Sequence, residues 1–493
     1  MSNKKIILKD ISLYAFGTYL THLIDFVISV LMKRFLGPML SGVWTSLQVI
    51  LIYAKYANLG TVEASLKEIP YHIGKNDLKR AEEIKNTVFW YVLFNALLVS
   101  SVILIAALCL KSFVSPAVFW GLITISCLNV IQRVYFFQVV LLRAFKKFYL
   151  ASKVMIFSSV IGIGPMLFLT WHYKIYGFYA ATIFIFAMNS LYVFWKSKQR
   201  FAFTFSWSKI KPLIIVGFPI MVLMGLDIVF RSIDRIIIPR FLDFEQMGYY
   251  SLAVMAMNYL TSFPNMLNVV LFPHFQEKFS QRDNAKDLRN YVYQSTLSLA
   301  YLLPVLLAAV WFFSETIVEL VLPDFRPGIF PLKILMAGVF FVSLNYPFLT
   351  LLITIKKHFV MIPVVLGLMI FASVFCIWSL QLGYGIPGVA IIMSIHYFIY
   401  FMILFRHGTR DIMQRKDSFR LFARILGIFC YFISLLLAIE ILMPMPTNSV
   451  IIKNLLQFGI FTLCFSPCLI LFNKETQLLK HLLGLFKDKI TNK

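Results

Sequence analysis

The stretch RFLGPMLSG, from Arg34 to Gly42, recurs as RFLDFEQMG, from Arg240 to Gly248. The copies lie 206 residues apart, and both keep the leading RFL and a glycine eight residues after the arginine. Each copy stands at the boundary between two long apolar runs. A motif repeated at equivalent boundaries predicts that one structural unit occurs twice in the chain.

Two further pairs of short matches support the duplication. LLRAFKKFY begins at Leu141 and LLITIKKHF begins at Leu351, an offset of 210 residues. YGFYAA begins at Tyr176 and YGIPGVA begins at Tyr384, an offset of 208 residues. Because the three offsets are nearly constant, they predict a repeat of about 200 residues.

The composition indicates the solvent in which this repeat folds. Of the 493 residues, 60% are hydrophobic, 14% are charged and 50 are phenylalanine. In a soluble domain about a quarter of the residues are charged, so a chain as apolar as this one requires a lipid environment. The net charge of +24 does not indicate a nucleic-acid partner, because the basic residues form short clusters between apolar runs. In a membrane protein such clusters set the topology.

A membrane-spanning helix needs about 20 mainly apolar residues. The sequence therefore predicts an all-α, polytopic membrane protein of about fourteen transmembrane helices. In chain order, these predicted spans 1 to 14 are residues 11–32, 42–64, 87–110, 117–141, 153–172, 176–195, 212–238, 246–272, 291–313, 328–353, 359–381, 385–405, 421–442 and 450–472.

The spans fall into three predicted segments. Six spans, an even number, separate the copies of the repeat, so both copies enter the membrane in the same direction. This predicts two parallel six-helix lobes related by an axis along the membrane normal. The N-lobe is residues 1–200, the C-lobe is residues 201–410, and residues 411–493 form spans 13 and 14 and a cytoplasmic tail.

The distribution of lysine and arginine predicts the orientation. With the N-terminus inside, the inner segments hold 34 of the 46 basic residues. Positive charge collects on the cytoplasmic side of membrane proteins, and the opposite orientation would invert this bias. Both termini are therefore predicted to be cytoplasmic.

Ionisable and amide side chains inside the spans mark the candidate binding site. A charge at the bilayer centre costs about 2.5–3.5 kcal/mol on insertion scales, so it normally faces a cavity or a partner. Fixed cations in such a cavity suit a diphosphate, because arginine matches phosphate oxygens with two parallel hydrogen bonds. The predicted phosphate contacts are Lys55, Arg133, Arg231 and Arg235. The predicted sugar contacts are Gln48, Asn129, Asn258 and Asn265.

An alternative for span 7 stays open at this point. Asp227 and Arg231 are four residues apart and Arg231 and Asp234 are three apart, which places them on one helical face. These charges could form an internal salt-bridge network that only holds the lobes together. His22 of span 1 is equally suited to packing through a hydrogen bond and to carrying a proton.

Enzyme motifs and metal-ligand spacings are missing from the sequence. The only Gly-Lys pair, Gly74-Lys75, lacks the rest of a phosphate-binding loop, and neither GxSxG nor HExxH occurs. The cysteines lie in apolar runs without CxxC spacing: Cys109, Cys127, Cys376, Cys430, Cys464 and Cys468. We therefore expect no enzyme activity, no metal site and no cofactor.

The early RFLGPxxxG, the duplicated six-helix lobe and LLRAFKKF after span 4 resemble the polysaccharide-repeat flippases. These form the Wzx-like branch of the multidrug/oligosaccharidyl-lipid/polysaccharide exporter superfamily. The YG start of spans 6 and 12 fits as well, and the resemblance covers spans 1 to 12. Two extra helices suit this branch better than the twelve-helix drug extruders.

The resemblance implies a function as well as a fold. Members of the family carry undecaprenyl-diphosphate-linked oligosaccharides from the cytoplasmic to the outer leaflet of the bacterial inner membrane, for O-antigen, capsule or similar glycans. It implies coupling to H⁺ or Na⁺ or gating, with candidate residues His22, Asp25, Asp227 and Asp234. It also implies membrane lipids and polysaccharide polymerase or export proteins as partners. The alternative is a multidrug or cation antiporter of the same fold, which would need an acidic cavity.

Overall fold

The structure is a computed structural model that describes residues 3–145, 147–280, 284–442 and 450–476. Helices make up nearly all of these residues, and the described ranges contain no β-strand. The chain divides into two compact units, Met1–Gly248 and Tyr249–Lys493. The predicted all-α, polytopic fold is confirmed. Residues 477–493 of the predicted cytoplasmic tail lie outside the described residues.

Of the helices that the described residues form, seven lie in unit 1 and an eighth crosses the boundary between the units. The unit 1 helices are α1 Asn3–Ala54, α2 Thr61–Gly74, α3 Leu78–Leu110, α4 Pro116–Ala144, α5 Phe148–Ser197, α6 Trp207–Phe230 and α7 Ile233–Phe241. Then follow α8 Phe244–Ser280, α9 Arg289–Val321, α10 Ile329–Thr354, α11 Met361–Gln381, α12 Gly385–Arg410, α13 Arg415–Leu442 and α14 Val450–Thr476.

These helices do not correspond one to one with the predicted spans. By length and composition, 11 helical segments of the described residues could cross a membrane. The helix α5 contains predicted spans 5 and 6, and α1 contains span 1 and the first part of span 2, whose end at residue 64 lies in α2. Both helices are interrupted by a residue with positive φ: Gly37 at 72° in α1 and Lys174 at 50° in α5. At each of these residues the helical hydrogen-bond pattern is interrupted and the chain turns. The helix resumes at the next residue.

Short-range signals explain where several helices begin. Ser115 accepts a hydrogen bond from the Val118 amide, and Pro116 occupies the first helical position of α4. Asp77 does the same for the Arg80 amide at the start of α3. Both pairings satisfy amide groups that have no partner within the first turn of a helix.

The repeated motifs of the sequence contact each other directly within unit 1. A Cβ atom on Gly42 would overlap the carbonyl oxygen of Phe244, and one on Gly248 would overlap the carbonyl oxygen of Pro38. Pro38 and Phe244 are the fifth residues of the first and second motifs. The fifth residue of each motif therefore contacts the last glycine of the other motif, so the same contact occurs twice. Only glycine lets two backbones approach this closely. The reciprocity is the signature of a local pseudo-twofold relation.

The division at Gly248 places α6 and α7 with the first unit, although the sequence analysis assigned both to the C-lobe. A Cβ atom on Gly60, just before α2, would overlap the backbone of Gly217 in α6. Tight glycine contacts thus hold α6 against α2. The lobe boundaries at residues 200 and 410 remain a prediction, since packing alone does not test duplication.

Candidate functional site

The candidate site in unit 1 lies where two helices are broken. The helix α1 ends at Ala54 and continues as a single 3₁₀ turn, Lys55–Asn58, before Leu59 and Gly60 adopt positive φ. The helix α6 ends at Phe230, and Ser232 precedes the short helix α7. Broken membrane helices expose unpaired backbone groups, which is why ion and substrate sites are commonly built on them.

Two tyrosines of α1 and its 3₁₀ turn join the two breaks. The Tyr53 hydroxyl is 2.7 Å from the Ser232 Oγ, with which it shares a hydrogen bond. The Tyr56 hydroxyl donates to the Met224 carbonyl oxygen at 3.3 Å. These bonds fix the break of α1 beside the break of α6.

A first group of charges lies at the α1 break. Glu63 on α2 interacts electrostatically with both Lys55 and Arg133. The Arg133 guanidinium donates to Asn129 Oδ1 from two nitrogens, at 3.2 and 3.3 Å. Asn129 is fully buried, and its amide donates to the Ala96 carbonyl oxygen at 3.0 Å. The buried asparagine therefore orients the arginine, a role that its predicted sugar contact did not include.

A second group of charges lies at the α6 break. Arg231 Nε donates to both carboxylate oxygens of Asp227 at 3.1 Å. Asp234 is buried, and its Oδ1 accepts a hydrogen bond from the Arg235 amide at 2.8 Å. Arg235 Nε is buried and has no hydrogen-bond partner among the described residues. The Arg231–Asp227 pair is one of the internal salt bridges that the sequence left open for span 7. Arg235 Nε, by contrast, can still donate a hydrogen bond to a ligand.

The tyrosines bring the two groups together. Tyr56 interacts electrostatically with Asp227, Glu63 and Arg133, and Tyr53 does so with Asp234 and Arg235. We call the whole set the unit 1 charge cluster: Lys55, Glu63, Arg133, Asp227, Arg231, Asp234 and Arg235. Four cations face three carboxylates, so the cluster has a surplus of positive charge.

Glu63 is the member that sequence reasoning missed. The signal was present, because Glu63 falls inside predicted span 2 and an ionisable residue in a span is a candidate by default. Its neighbours Gly60 and Thr61 mark the start of a new helix, which the long apolar run concealed. The four predicted phosphate contacts, all basic, therefore belong to a mixed cluster with a cationic surplus.

The other predicted sugar contacts lie apart from these contacts. Gln48 is exposed on α1, seven residues before Lys55 and thus on the same helical face. Asn258 and Asn265 are exposed on one face of α8, within unit 2. Their role in binding stays a prediction.

The predicted coupling residues of span 1 lie against α5. Asp25 Oδ1 accepts a long hydrogen bond, 3.5 Å, from the Ser159 Oγ, and it interacts electrostatically with His22. Both side chains are partly exposed. Among the described residues, no group of three or more His, Cys, Asp and Glu side chains is placed to hold a metal ion.

Unit 2 contains a charge cluster of a different kind. Lys333 on α10 pairs with Glu315 on α9 at 2.6 Å and with Glu440 on α13 at 2.7 Å. Lys453 on α14 lies 3.7 Å from Glu315. The Trp311 indole donates to Glu440 at 2.9 Å, and the Lys333 ammonium lies 5.1 Å from the centre of its ring.

We call Glu315, Lys333, Glu440 and Lys453 the unit 2 charge cluster. It joins four helices and balances two cations with two carboxylates. The cluster was not predicted from the sequence, although Lys333 and Glu440 fall inside predicted spans 10 and 13. Both lie near span ends, where charged side chains normally reach the headgroups.

Comparisons with known proteins identify the family and the fold. The family described as "Polysaccharide biosynthesis protein" matches residues 69–324. The lipid II flippase MurJ, in an inward closed conformation, has a TM-score of 0.67 at 17% identity, covering 93% of this chain and 99% of that chain.

A multidrug resistance MATE family transporter of the MOP superfamily, in an inward-facing conformation, has a TM-score of 0.62 at 15% identity. The match covers 79% of this chain and 95% of the transporter. At such identities these structures show the fold alone, and no curated protein sequence matches. The family match spans more than half of the chain. The chain therefore belongs to the polysaccharide biosynthesis protein family and has the helical fold that MurJ and the MATE transporters share.

Proposed function

We propose that the protein carries an undecaprenyl-diphosphate-linked oligosaccharide from the cytoplasmic to the outer leaflet of the bacterial inner membrane. The oligosaccharide would serve surface polysaccharide synthesis, of O-antigen, capsule or a similar glycan. Family membership supports a role in polysaccharide synthesis, and the fold that it shares with a lipid II flippase supports a lipid-linked substrate. The observation that carries the proposal is the cationic surplus of the unit 1 charge cluster.

The cluster suits a diphosphate for a physical reason. Four cations and three carboxylates leave one uncompensated positive charge, which a phosphate oxygen would neutralise. Arg235 Nε lacks a partner among the described residues, and Lys55 is exposed. Arg133 is held in place by Asn129, so it loses little conformational freedom on binding. Charge-assisted hydrogen bonds of this kind are stronger than neutral ones.

The remaining parts of the proposal extend the predictions made from the sequence. Sugar hydroxyls would hydrogen-bond to Gln48, Asn258 and Asn265, and Asn129 would act through Arg133, which it orients. Coupling to H⁺ or Na⁺, or gating, would involve His22, Asp25, Asp227 and Asp234. Polysaccharide polymerase or export proteins would receive the product, both termini would be cytoplasmic, and the protein would act without a cofactor and without catalysing a reaction.

Alternating access supplies the transport step. In the predicted orientation, the reciprocal contacts of Gly42 with Phe244 and of Gly248 with Pro38 lie at the outer face. An outward-open state would require these contacts to separate, while the prenyl tail stays in lipid. Backbone contacts without side chains can separate and close again with little rearrangement.

Reconstitution tests the proposal. Proteoliposomes would contain the purified protein and an undecaprenyl-diphosphate oligosaccharide with a fluorescent label on the glycan, and a membrane-impermeant quencher would report transfer between leaflets. We expect transfer by the wild type, loss of transfer in the double variant Arg231→Gln/Arg235→Gln, and normal transfer in Arg240→Gln. Arg240 is the matched control because it is an exposed arginine of α7 outside the cluster.

The antiporter alternative makes the opposite prediction. A cation antiporter would export a dye such as ethidium in exchange for protons or sodium, and the lipid-linked substrate would stay in its leaflet. That result would contradict the proposal, as would equal transfer by Arg240→Gln and the double variant.

A further inference from the structure

A pocket of unit 1 lies outside the charge cluster, at the end that the predicted orientation places in the cytoplasm. Its volume is about 430 Å³. That is within the range of pockets that bind small ligands. The lining comes from the start of α3, the turn between α4 and α5, and the segment after α5: Glu82, Lys85, Asn86, Phe145, Lys147, Ser197, Lys198, Gln199, Arg200 and Ala202.

Aromatic contacts hold the wall formed by the segment after α5. Phe201 stacks on Phe89 of α3 with ring centres 3.8 Å apart, and Phe203 packs edge-on against Trp90 at 5.1 Å. The Trp90 indole donates to the Ala202 carbonyl oxygen at 2.9 Å. The segment is therefore fixed to α3, and the pocket keeps its shape without a ligand.

The charges that line the pocket are mostly positive. Lys85 is buried and pairs with Glu82, the single carboxylate among the described residues of the lining. Across the described parts of the chain, no carboxylate pairs with Lys147, Lys198 or Arg200. The lining therefore has a surplus of three positive charges.

Buried polar atoms without partners point to the same conclusion. Asn86 Oδ1, Ser197 Oγ and Gln199 Oε1 are buried and have no hydrogen-bond partner within the described ranges. Unpaired buried polar groups are rare and costly in proteins, and rotation of these three side chains toward the pocket would give each of them a partner there. The serine hydroxyl and the two carboxamides can each donate a hydrogen bond after rotation.

We propose that this pocket binds a phosphate group, with Lys147, Lys198 and Arg200 supplying charge and Ser197 a hydrogen bond. Two sources share this chemistry: the headgroup of an anionic phospholipid of the inner leaflet, and free phosphate. The pocket lies under the segment that connects α5 to α6, so an occupant would brace that connection. The proposal goes beyond the proposed transport function and does not depend on it.

Thermal unfolding of the full-length protein in detergent tests the proposal at constant ionic strength. The probes are dihexanoylphosphatidylglycerol, inorganic phosphate, and dihexanoylglycerol, which has the same chains without phosphate. The variants are Lys198→Gln/Arg200→Gln and the milder Ser197→Ala. The matched control is Lys196→Gln/Lys211→Gln, which removes two exposed lysines that are near in sequence but do not line the pocket.

We expect one phosphate probe to raise the unfolding temperature of the wild type and of the control. The double variant should bind that probe more weakly by on the order of tenfold or more, and Ser197→Ala by a few-fold. A response to the phosphatidylglycerol alone assigns the lipid as the source, and a response to inorganic phosphate as well assigns free phosphate. The proposal is overturned if neither phosphate probe raises the unfolding temperature of the wild type, if dihexanoylglycerol raises it equally, or if the double variant and the control respond alike.

Discussion

The two charge clusters of this chain contain the same types of residue but differ in their balance of positive and negative charge. The unit 2 cluster is balanced: Lys333 lies within 2.7 Å of two carboxylates, and its side chain is only 10% exposed. The unit 1 cluster has more cations than carboxylates, its Lys55 is exposed, and its Arg235 Nε has no hydrogen-bond partner among the described residues. One cluster is complete without a ligand, and the other is not.

This difference distinguishes a structural ion network from a binding site better than burial does. Removing a charge from water costs free energy that a well-placed partner must offset. In unit 2 the partners come from four helices, so the offset holds these helices together. In unit 1 one positive charge has no carboxylate to compensate its removal from water, and an anionic substrate would supply the missing negative charge. Stability should therefore respond to changes in unit 2, and transport to changes in unit 1.

The largest effect is expected for Lys333→Met. The substitution leaves Glu315 and Glu440 close together without their shared cation. Breaking a buried pair in this way costs about 3–5 kcal/mol, and the partial exposure of both carboxylates favours the lower end. Chemical denaturation in detergent, followed by circular dichroism, measures the loss. If the variant is as stable as the wild type, the network is not what holds the four helices together.

The next effect is expected for Arg133→Gln in unit 1. Losing a charge-assisted contact to the diphosphate should lower transport at least tenfold, corresponding to about 1.5–3 kcal/mol. Stability should change less than in Lys333→Met, because Arg133 hydrogen-bonds to an amide and, among the described residues, forms no salt bridge with its electrostatic partner Glu63. Arg34→Gln, an exposed arginine on α1, is the control in the proteoliposome assay. Equal transport by both variants would contradict a role of Arg133 in binding.

A gain is expected for Glu63→Gln, which raises the cationic surplus of the unit 1 cluster. The half-saturating concentration of the lipid-linked substrate should fall about threefold to tenfold, which is ~1 kcal/mol of binding. The same assay, run as a substrate titration, measures it. A rise instead would mean that Glu63 chiefly positions Lys55 and Arg133.

The smallest effect is expected for Lys453→Gln in unit 2. Its ammonium lies 3.7 Å from Glu315, and a third of its side chain is exposed. Pairs of this kind contribute about 0–1 kcal/mol. Chemical denaturation of Lys453→Gln and Lys333→Met under the same conditions tests whether Lys333 alone accounts for the stability that the cluster contributes. A loss as large as that of Lys333→Met would show that the network depends on both cations.

The sequence predicted six of the seven members of the unit 1 charge cluster. Each lies in an apolar run, where a charge stands out without knowledge of its neighbours. It did not predict which of them pair, since Arg133 reaches Asn129 on its own helix while its carboxylate partner Glu63 comes from α2. Pairing depends on how helices pack, and one helix does not specify that.

The sequence alone determined the helical class, the membrane environment and the repeated glycines, because hydropathy and local motifs act over about 20 residues or fewer. Only the tertiary structure decided where α1 and α6 break, that Gly42 and Gly248 make reciprocal contacts, and that Lys333 unites four helices. These features need atoms from segments up to some 200 residues apart. Their free energy comes from contacts that form only when the helices are packed.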